Sequence, residues 1–288
     1  MTNLNLTYYH DIPQGITPSE IRTAIKLFAE KLSLWLSENT TEKVHINVRD
    51  GMTVPEQYDD ICNDHSQIAL MKPVEYIFAH KKNNHIIPAC AAYRPVNGKT
   101  DTYYYSQIYV NKETGIKSLS DLKKSPGKYK IAYGDRFSTS SFLIPAAHLK
   151  RLNIHPFLHF KHSIFAGGHD LAAKAVYQGE ADIGAGHDTA IQILAKTFSD
   201  AEDKLIQVDR EKIHTDPLAI NTIALPKDIS FNQIQKGCIE IAKHSDVQKA
   251  LSLFWGCVHG LSPITHNCYE PIESAVDDMH LTENDILS

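Results

Sequence analysis

Gly134–Pro145 reads GDRFSTSSFLIP and follows directly on the β-like run KIAY of Lys130–Tyr133. Four small hydroxyl residues, Ser138, Thr139, Ser140 and Ser141, stand where a strand ends and an apolar, helix-like run begins. One hydroxyl is enough to cap a helix. The first helical turn also carries unpaired N–H groups and a partial positive charge, which makes it receptive to anions. In open α/β sheets, ligands sit outside the carboxyl ends of strands, which is where this segment falls. Two readings follow: Ser138 caps the helix and its neighbours are solvated, or the hydroxyls and N–H groups together surround a tetrahedral oxyanion. Pro145, a few residues into the helix, is placed to kink it. A serine hydrolase is disfavoured: there is no G-x-S-x-G elbow, and His169 and Asp188 are only nominal partners.

On either side of this stretch, strands alternate with helices, the signature of α/β architecture. After the strand-like LNLTYY, Thr17, Pro18 and Glu20 form a helix start with a capping box. Ile21, Ile25, Phe28, Leu32 and Trp35 then recur at steps of four and three, one apolar helix face. VHINVRD, a short helix from Thr53, QIALMKP, HIIPACAAY and TYYYSQIYVN continue the first unit. The pattern then restarts with a Ser118-led helix, KIAYGD, the STSS helix, strand-like FLHFKHSIF, a helix from His169, ADIGAGH, a helix over DTAIQILAKTF and KLIQVDR. DPLAINTIALP reads as a return strand, and helices near 233–244, 246–255 and 271–279 close the chain against the first lobe. The expectation is two lobes, residues 1–106 with 217–288 and residues 107–216, joined by two chain crossings.

The 288 residues, 42% hydrophobic and 22% charged, are enough for two lobes with cores of their own. A net charge of −5 with scattered Lys and Arg argues against a nucleic-acid surface. No apolar run approaches the roughly 18–20 residues of a membrane span, and MTNLNLTYYHDIPQG has none of the regions of a signal peptide. The protein is therefore expected to be cytoplasmic, or to have had its leader removed. Five cysteines at wide spacings, without a CxxC pair, weaken both a disulfide framework and a zinc site. Cys257, His259, His266 and Cys268 lie close in sequence, but their spacing fits no zinc pattern, and no metal or cofactor is expected.

The succession YYYSQIYVN, GIKSLSDLKK, KIAYGD with STSSFLIP, and FAGGHDLAAKAVYQGEADIGA resembles the phosphonate, phosphite and phosphate substrate-binding proteins of ABC importers. Weaker similarity reaches the first helix, VHINVRD and QIALMKP. The resemblance implies a type II periplasmic-binding-protein fold, α/β with two lobes, each a mixed sheet flanked by helices, closing on the ligand by hinge motion. It implies that Ser138, Thr139, Ser140 and His169 hold the oxyanion. The tyrosine of the Y-x-S strand corresponds to Tyr104, and the aspartate before proline on the return strand to Asp216. Hydroxyls and N–H groups suit such a ligand as donors, and His169 can donate from either ring nitrogen. Asp216 suits it only by accepting a proton from a protonated ligand oxygen or by pairing with a ligand amine; otherwise it caps a turn before Pro217.

Three departures from the family pattern bear on the ligand. Lys72 stands where relatives carry a small residue before proline; it either recognises a second acidic group or covers the strand end. Thr189 falls where an aminoalkylphosphonate binder carries a carboxylate, with His187 and Asp188 as possible substitutes. YYHDIPQG replaces a small first loop, so Tyr8, Tyr9 or His10 lines a pocket or packs a lobe edge. The overall expectation is a non-catalytic, monomeric, extracytoplasmic protein that carries a small phosphorus oxyanion to an ABC permease. The alternatives are an enzyme on the same fold, similar to the thiamin pyrimidine synthases, whose clustered cysteines are missing here, and a ligand-sensing domain.

Overall fold

A computed structural model describes residues 1–10, 15–96, 99–283 and 285. The chain divides into two compact units. Unit 1 comprises Met1–Tyr103 and His214–Tyr269, and unit 2 comprises Tyr104–Ile213 and the stretch from Glu270. The divisions thus lie a few residues ahead of the expected 106 and 216, and a third passage at Tyr269/Glu270 adds to the two suggested by the sequence. The last helix, Glu270–Met279, belongs to unit 2 and not to the first lobe as expected. It buries Ile272, Ala275 and Val276, Met279 packs on the unit 2 core, and Arg151 reaches Asp278 at 3.2 Å. Its amphipathic pattern specified a buried face but not which core would cover it.

In chain order the strands are β1 (Thr2–Tyr8), β2 (Val44–Val48), β3 (Ile68–Leu70), β4 (Ile86–Ala92), a small hairpin of β5 (Arg94–Val96) and β6 (Lys99–Asp101), β7 (Tyr103–Asn111), β8 (Lys130–Tyr133), β9 (His162–Phe165), β10 (Ile183–His187), β11 (Leu205–His214), β12 (Pro217–Asn221) and β13 (Leu261–Pro263). Unit 1 holds a six-stranded sheet in the order β13-β4-β12-β3-β1-β2, with β1 parallel to β2 and β3, and β12 antiparallel to β3 and β4. The five-stranded sheet runs β11-β7-β10-β8-β9, with β8, β9 and β10 parallel and β7 antiparallel to β10. Both sheets are mixed, and helices flank them.

Helix Pro18–Asn39 begins as the sequence predicts: the Thr17 hydroxyl accepts from the Glu20 N–H, and the Glu20 carboxylate accepts from the Thr17 N–H. Its Ile21, Ile25, Phe28 and Leu32 are buried in the unit 1 core with Leu4, Leu6, Ile68 and Leu218. Unit 2 has its own core of Ile108, Val110, Ile131, Tyr133, Leu149 and Ile183. In β10, Gly184 is dictated by contact, since a Cβ there would lie 2.3 Å from the buried ring of Tyr109. FLHFKHSIF is a strand only over His162–Phe165; Leu158 in the preceding turns is 82% exposed, because Pro156 and a His155 ring accepting from two following N–H groups favour turns.

Candidate ligand-binding site

In unit 2 the carboxyl ends of the parallel strands share one sheet edge, with Tyr133 opposite Phe165 and Ile131 opposite Ile183. The antiparallel β7 brings its start there, Ser106 facing His187. The segments that leave this edge carry Ser138–Ser141 after β8, His169 after β9 and His187–Thr189 at the end of β10, while Tyr104 opens β7. One end of one sheet therefore gathers the hydroxyls, His169 and Tyr104.

The STSS segment has a specific local geometry. Ser138 is the cap, its Oγ accepting from the Ser141 N–H at 3.1 Å. Thr139–Leu143 is a π-turn leading into the helix Ile144–Arg151. The Leu143 N–H donates to the Ser138 carbonyl, and the Ile144 N–H to that of Thr139. Pro145 accounts for this: it has no N–H for the Ser141 carbonyl, and its ring would crowd that carbonyl in a regular α-turn. The Ser141 carbonyl instead accepts from the Gly134 N–H at 3.4 Å, and the Ser106 hydroxyl donates to the Ser140 carbonyl at 2.8 Å. Pro145 thus acts by widening the turn that holds the hydroxyls.

Thr139 and Ser140 are 4% and 3% exposed. The Thr139 Oγ1 is buried and has no hydrogen-bond partner among the described residues. An unsatisfied buried hydroxyl costs free energy, so its retention at a helix start points to a ligand that supplies the partner. Gly134 makes this packing possible: a Cβ would fall 2.4 Å from the Ser141 Oγ and 3.2 Å from the Gly168 backbone.

His169 opens the helix His169–Tyr177, half-buried. Its Nδ1 accepts from the His187 N–H at 3.2 Å, so in the neutral ring the proton sits on Nε2, which becomes the donor. The His187 ring lies against it, centroids 4.3 Å apart, and its Nδ1 accepts from the Thr189 N–H at 3.3 Å. Asp188 Oδ2 accepts from the Tyr105 N–H at 3.3 Å.

In unit 1 the corresponding strand ends carry Tyr9 and Lys72. Tyr8 pairs with Leu70, and Leu218 pairs with Leu70 from the antiparallel side, which sets Asp216 level with Lys72. The Tyr9 hydroxyl donates to Asp216 Oδ2 at 2.5 Å, and the Lys72 ammonium lies 5.5 Å from the Tyr9 ring centroid. Lys72 also precedes the helix Pro73–Lys82, its N–H donating to Glu75 at 3.2 Å. The Tyr9–Asp216 contact is absent from the sequence reading, which offered Tyr9 only as one of three loop residues. Tyr8 and His10 line a separate cavity of about 350 Å³ with Pro18, Arg22 and Asp50. The rest of that loop, 11–14, lies outside the described residues.

Cys257, His259, His266 and Cys268 do not assemble. The Cys257 thiol lies 3.4 Å from His259, whereas His266 meets the Tyr76 hydroxyl at 2.9 Å and stacks on His80. Among the described residues no group of three or more His, Cys, Asp or Glu side chains could hold a metal ion.

A family model described as ABC transporter, phosphonate, periplasmic substrate-binding protein matches residues 14–269. The phosphate-import protein PhnD of Mycolicibacterium smegmatis is 27% identical over 202 residues, 66% of this chain and 60% of that protein, so the match spans less than two thirds of the relative. PhnD1 of Prochlorococcus marinus, solved with methylphosphonate, superposes with a TM-score of 0.71 at 16% identity, covering 97% of this chain and 98% of the other. A binding-protein component of an ABC phosphonate transporter from Pseudomonas aeruginosa gives 0.66 at 17% identity, covering 96% and 87%. These likenesses establish the type II periplasmic-binding-protein fold. With nearly the whole chain matched by the family model, the protein belongs to the phosphonate periplasmic substrate-binding family of ABC transporters.

Proposed function

We propose that this chain is the substrate-binding component of an ABC importer, taking up a small phosphonate or related phosphorus oxyanion and passing it to a membrane permease. It works as a monomer, outside the cytoplasm, without chemistry of its own and without nucleic acid. The observation that carries this reading is the buried, unpartnered Thr139 hydroxyl at the start of a helix, beside Ser138 and Ser140. Hydroxyl and N–H donors there match a phosphorus-bound oxygen set, and His169 adds an Nε2–H. Tyr104 joins them from the start of β7. Within unit 1, Lys72 and Asp216 are the proposed ligand-contacting residues, Asp216 on the family pattern of an aspartate before proline and the two together at one strand end. Tyr9, bonded to Asp216, holds that carboxylate in place.

No helix among the described residues is long and apolar enough to cross a membrane. The family match favours transport over the enzyme alternative. The test is a thermal-shift and calorimetric series with methylphosphonate, phosphite, phosphate and sulfate. Expected is a raised melting temperature with at least one phosphorus oxyanion, and a Kd of about 1 μM or tighter, near −8 kcal/mol. No response to any of the three phosphorus compounds overturns the proposal.

A further inference from the structure

Unit 1 holds a buried donor that its own packing leaves unused. Trp255 closes the helix Ser245–Trp255 and is 8% exposed. Its Nε1–H is buried and has no hydrogen-bond partner among the described residues. An indole nitrogen can only donate, and a buried one normally finds an acceptor, because leaving it unsatisfied costs free energy. Apolar packing accounts for the ring, which lies 5.7 Å from that of Phe254 in the unit 1 core, but not for the N–H. The helix end is held where unit 1 carries Asp216. The Tyr9 ring lies 4.7 Å from that of Phe254, and the Tyr9 hydroxyl donates to Asp216. Beyond Trp255 the chain is fastened to the residue after β4: the His259 N–H donates to the Tyr93 carbonyl at 2.8 Å, and the Tyr93 N–H to the Gly260 carbonyl at 2.9 Å. In the same sheet Ala91 of β4 pairs with Pro217, next to Asp216. The end of this helix, Tyr9 and Asp216 therefore share one sheet edge, the one at which β1 and β3 finish.

We propose that the Trp255 Nε1–H donates a hydrogen bond to an oxygen of the bound phosphorus oxyanion. The inference rests on the function proposed above and adds to it a ligand contact from unit 1 that lies outside the motifs carrying the family resemblance. Trp255 is in this respect the unit 1 counterpart of Thr139: each is a buried donor at a strand-end edge, and neither has an acceptor among the described residues. The indole suits the task. It is a neutral donor on a rigid ring, so it satisfies an anionic oxygen at little cost in side-chain freedom, and it does so without adding a charge beside Asp216.

The chain has two tryptophans, Trp35 and Trp255, so a nitrogen–proton correlation spectrum of the unaltered protein holds two indole peaks. Methylphosphonate, phosphite and phosphate are titrated in turn, with calorimetry on the same samples. Saturation with whichever anion binds should move the Trp255 indole proton downfield, the peak being identified by its loss in Trp255→Phe. Trp255→Phe should also bind that anion at least about 10-fold more weakly. An indole proton that stays in place or moves upfield at saturation, or full affinity in Trp255→Phe, overturns the proposal. Should Trp255→Phe fail to fold, Trp35→Phe assigns the peaks, and the titration of the unaltered protein decides the question alone. Calorimetry keeps the two readings apart: no binding of any of the three anions overturns the transport function and this contact with it, whereas binding with an indifferent Trp255 removes the contact only.

Discussion

Thr139→Val tests the site through two effects of opposite sign. Valine keeps the shape of threonine and replaces the hydroxyl with a methyl. In the ligand-free protein the Thr139 Oγ1 is buried without a partner among the described residues. Burying such a group unsatisfied costs about 1–3 kcal/mol, so its removal should stabilise the protein by roughly 1 kcal/mol after imperfect packing is allowed for. For a chain of this size that is a melting temperature about 2–4 °C higher. In the proposed site the same hydroxyl would donate to an anionic oxygen of the ligand, a charge-assisted bond of about 1.5–3 kcal/mol. Its loss should weaken methylphosphonate binding roughly 10- to 100-fold. Calorimetric titration and ligand-free thermal melts on the same preparations measure both. A lowered melting temperature with unchanged affinity would refute the reasoning, since the hydroxyl would then serve the fold and not the ligand.

Three other substitutions probe the surroundings. Gly134→Ala places a Cβ 2.4 Å from the Ser141 Oγ and 3.2 Å from the Gly168 backbone, so overpacking of about 1–3 kcal/mol should lower both the melting temperature and the affinity; an unchanged affinity would show that the STSS turn tolerates displacement. Tyr9→Phe and Asp216→Ala remove opposite ends of one hydrogen bond, and a double-mutant cycle on binding should give a coupling of about 1 kcal/mol or more, whereas additive effects would separate the two residues. His148 lies between Asp209 and Glu211, with Arg151 also on Glu211 and on Asp278. The Glu211 hydrogen bond raises His148 above its ordinary 6.5; burial pushes Glu211 up, but His148 and Arg151 outweigh it and hold its carboxyl below 4.5. The histidine's contribution is complete below 6.5 and fades as pH rises through its raised value, while that of Glu211 fades as pH falls through its lowered one. His148→Gln should therefore cost about 1 kcal/mol near pH 6 and progressively less as pH rises through the histidine's raised value, read from thermal melts; a loss that does not change with pH would contradict this.

The alternation of elements, the long first helix and the helix start after KIAY were legible because each rests on local chemistry: a capping box, a four-and-three spacing, hydroxyls at a strand end. The π-turn follows from Pro145, yet only once the carbonyls of Ser140 and Ser141 are traced to Ser106 and Gly134. The helix Pro73–Lys82 escapes a periodicity search because it is buried continuously from Pro73 to Ala79, so no polar face alternates with an apolar one. Its start was nonetheless signalled by Pro73 at the first helical position and Glu75 behind it. The pairing of Tyr9 with Asp216 spans 207 positions and depends on the order β12-β3-β1, which no local pattern encodes. The final helix shows the same limit, amphipathic in sequence but committed to unit 2 only by packing.

The most direct measurement is a crystal structure of the protein grown with methylphosphonate. The account predicts phosphonate oxygens within hydrogen-bond distance of the hydroxyls of Ser138, Thr139 and Ser140 and of His169 Nε2. Phosphorus density anywhere else on the chain, with the Thr139 Oγ1 still unpartnered, would contradict it.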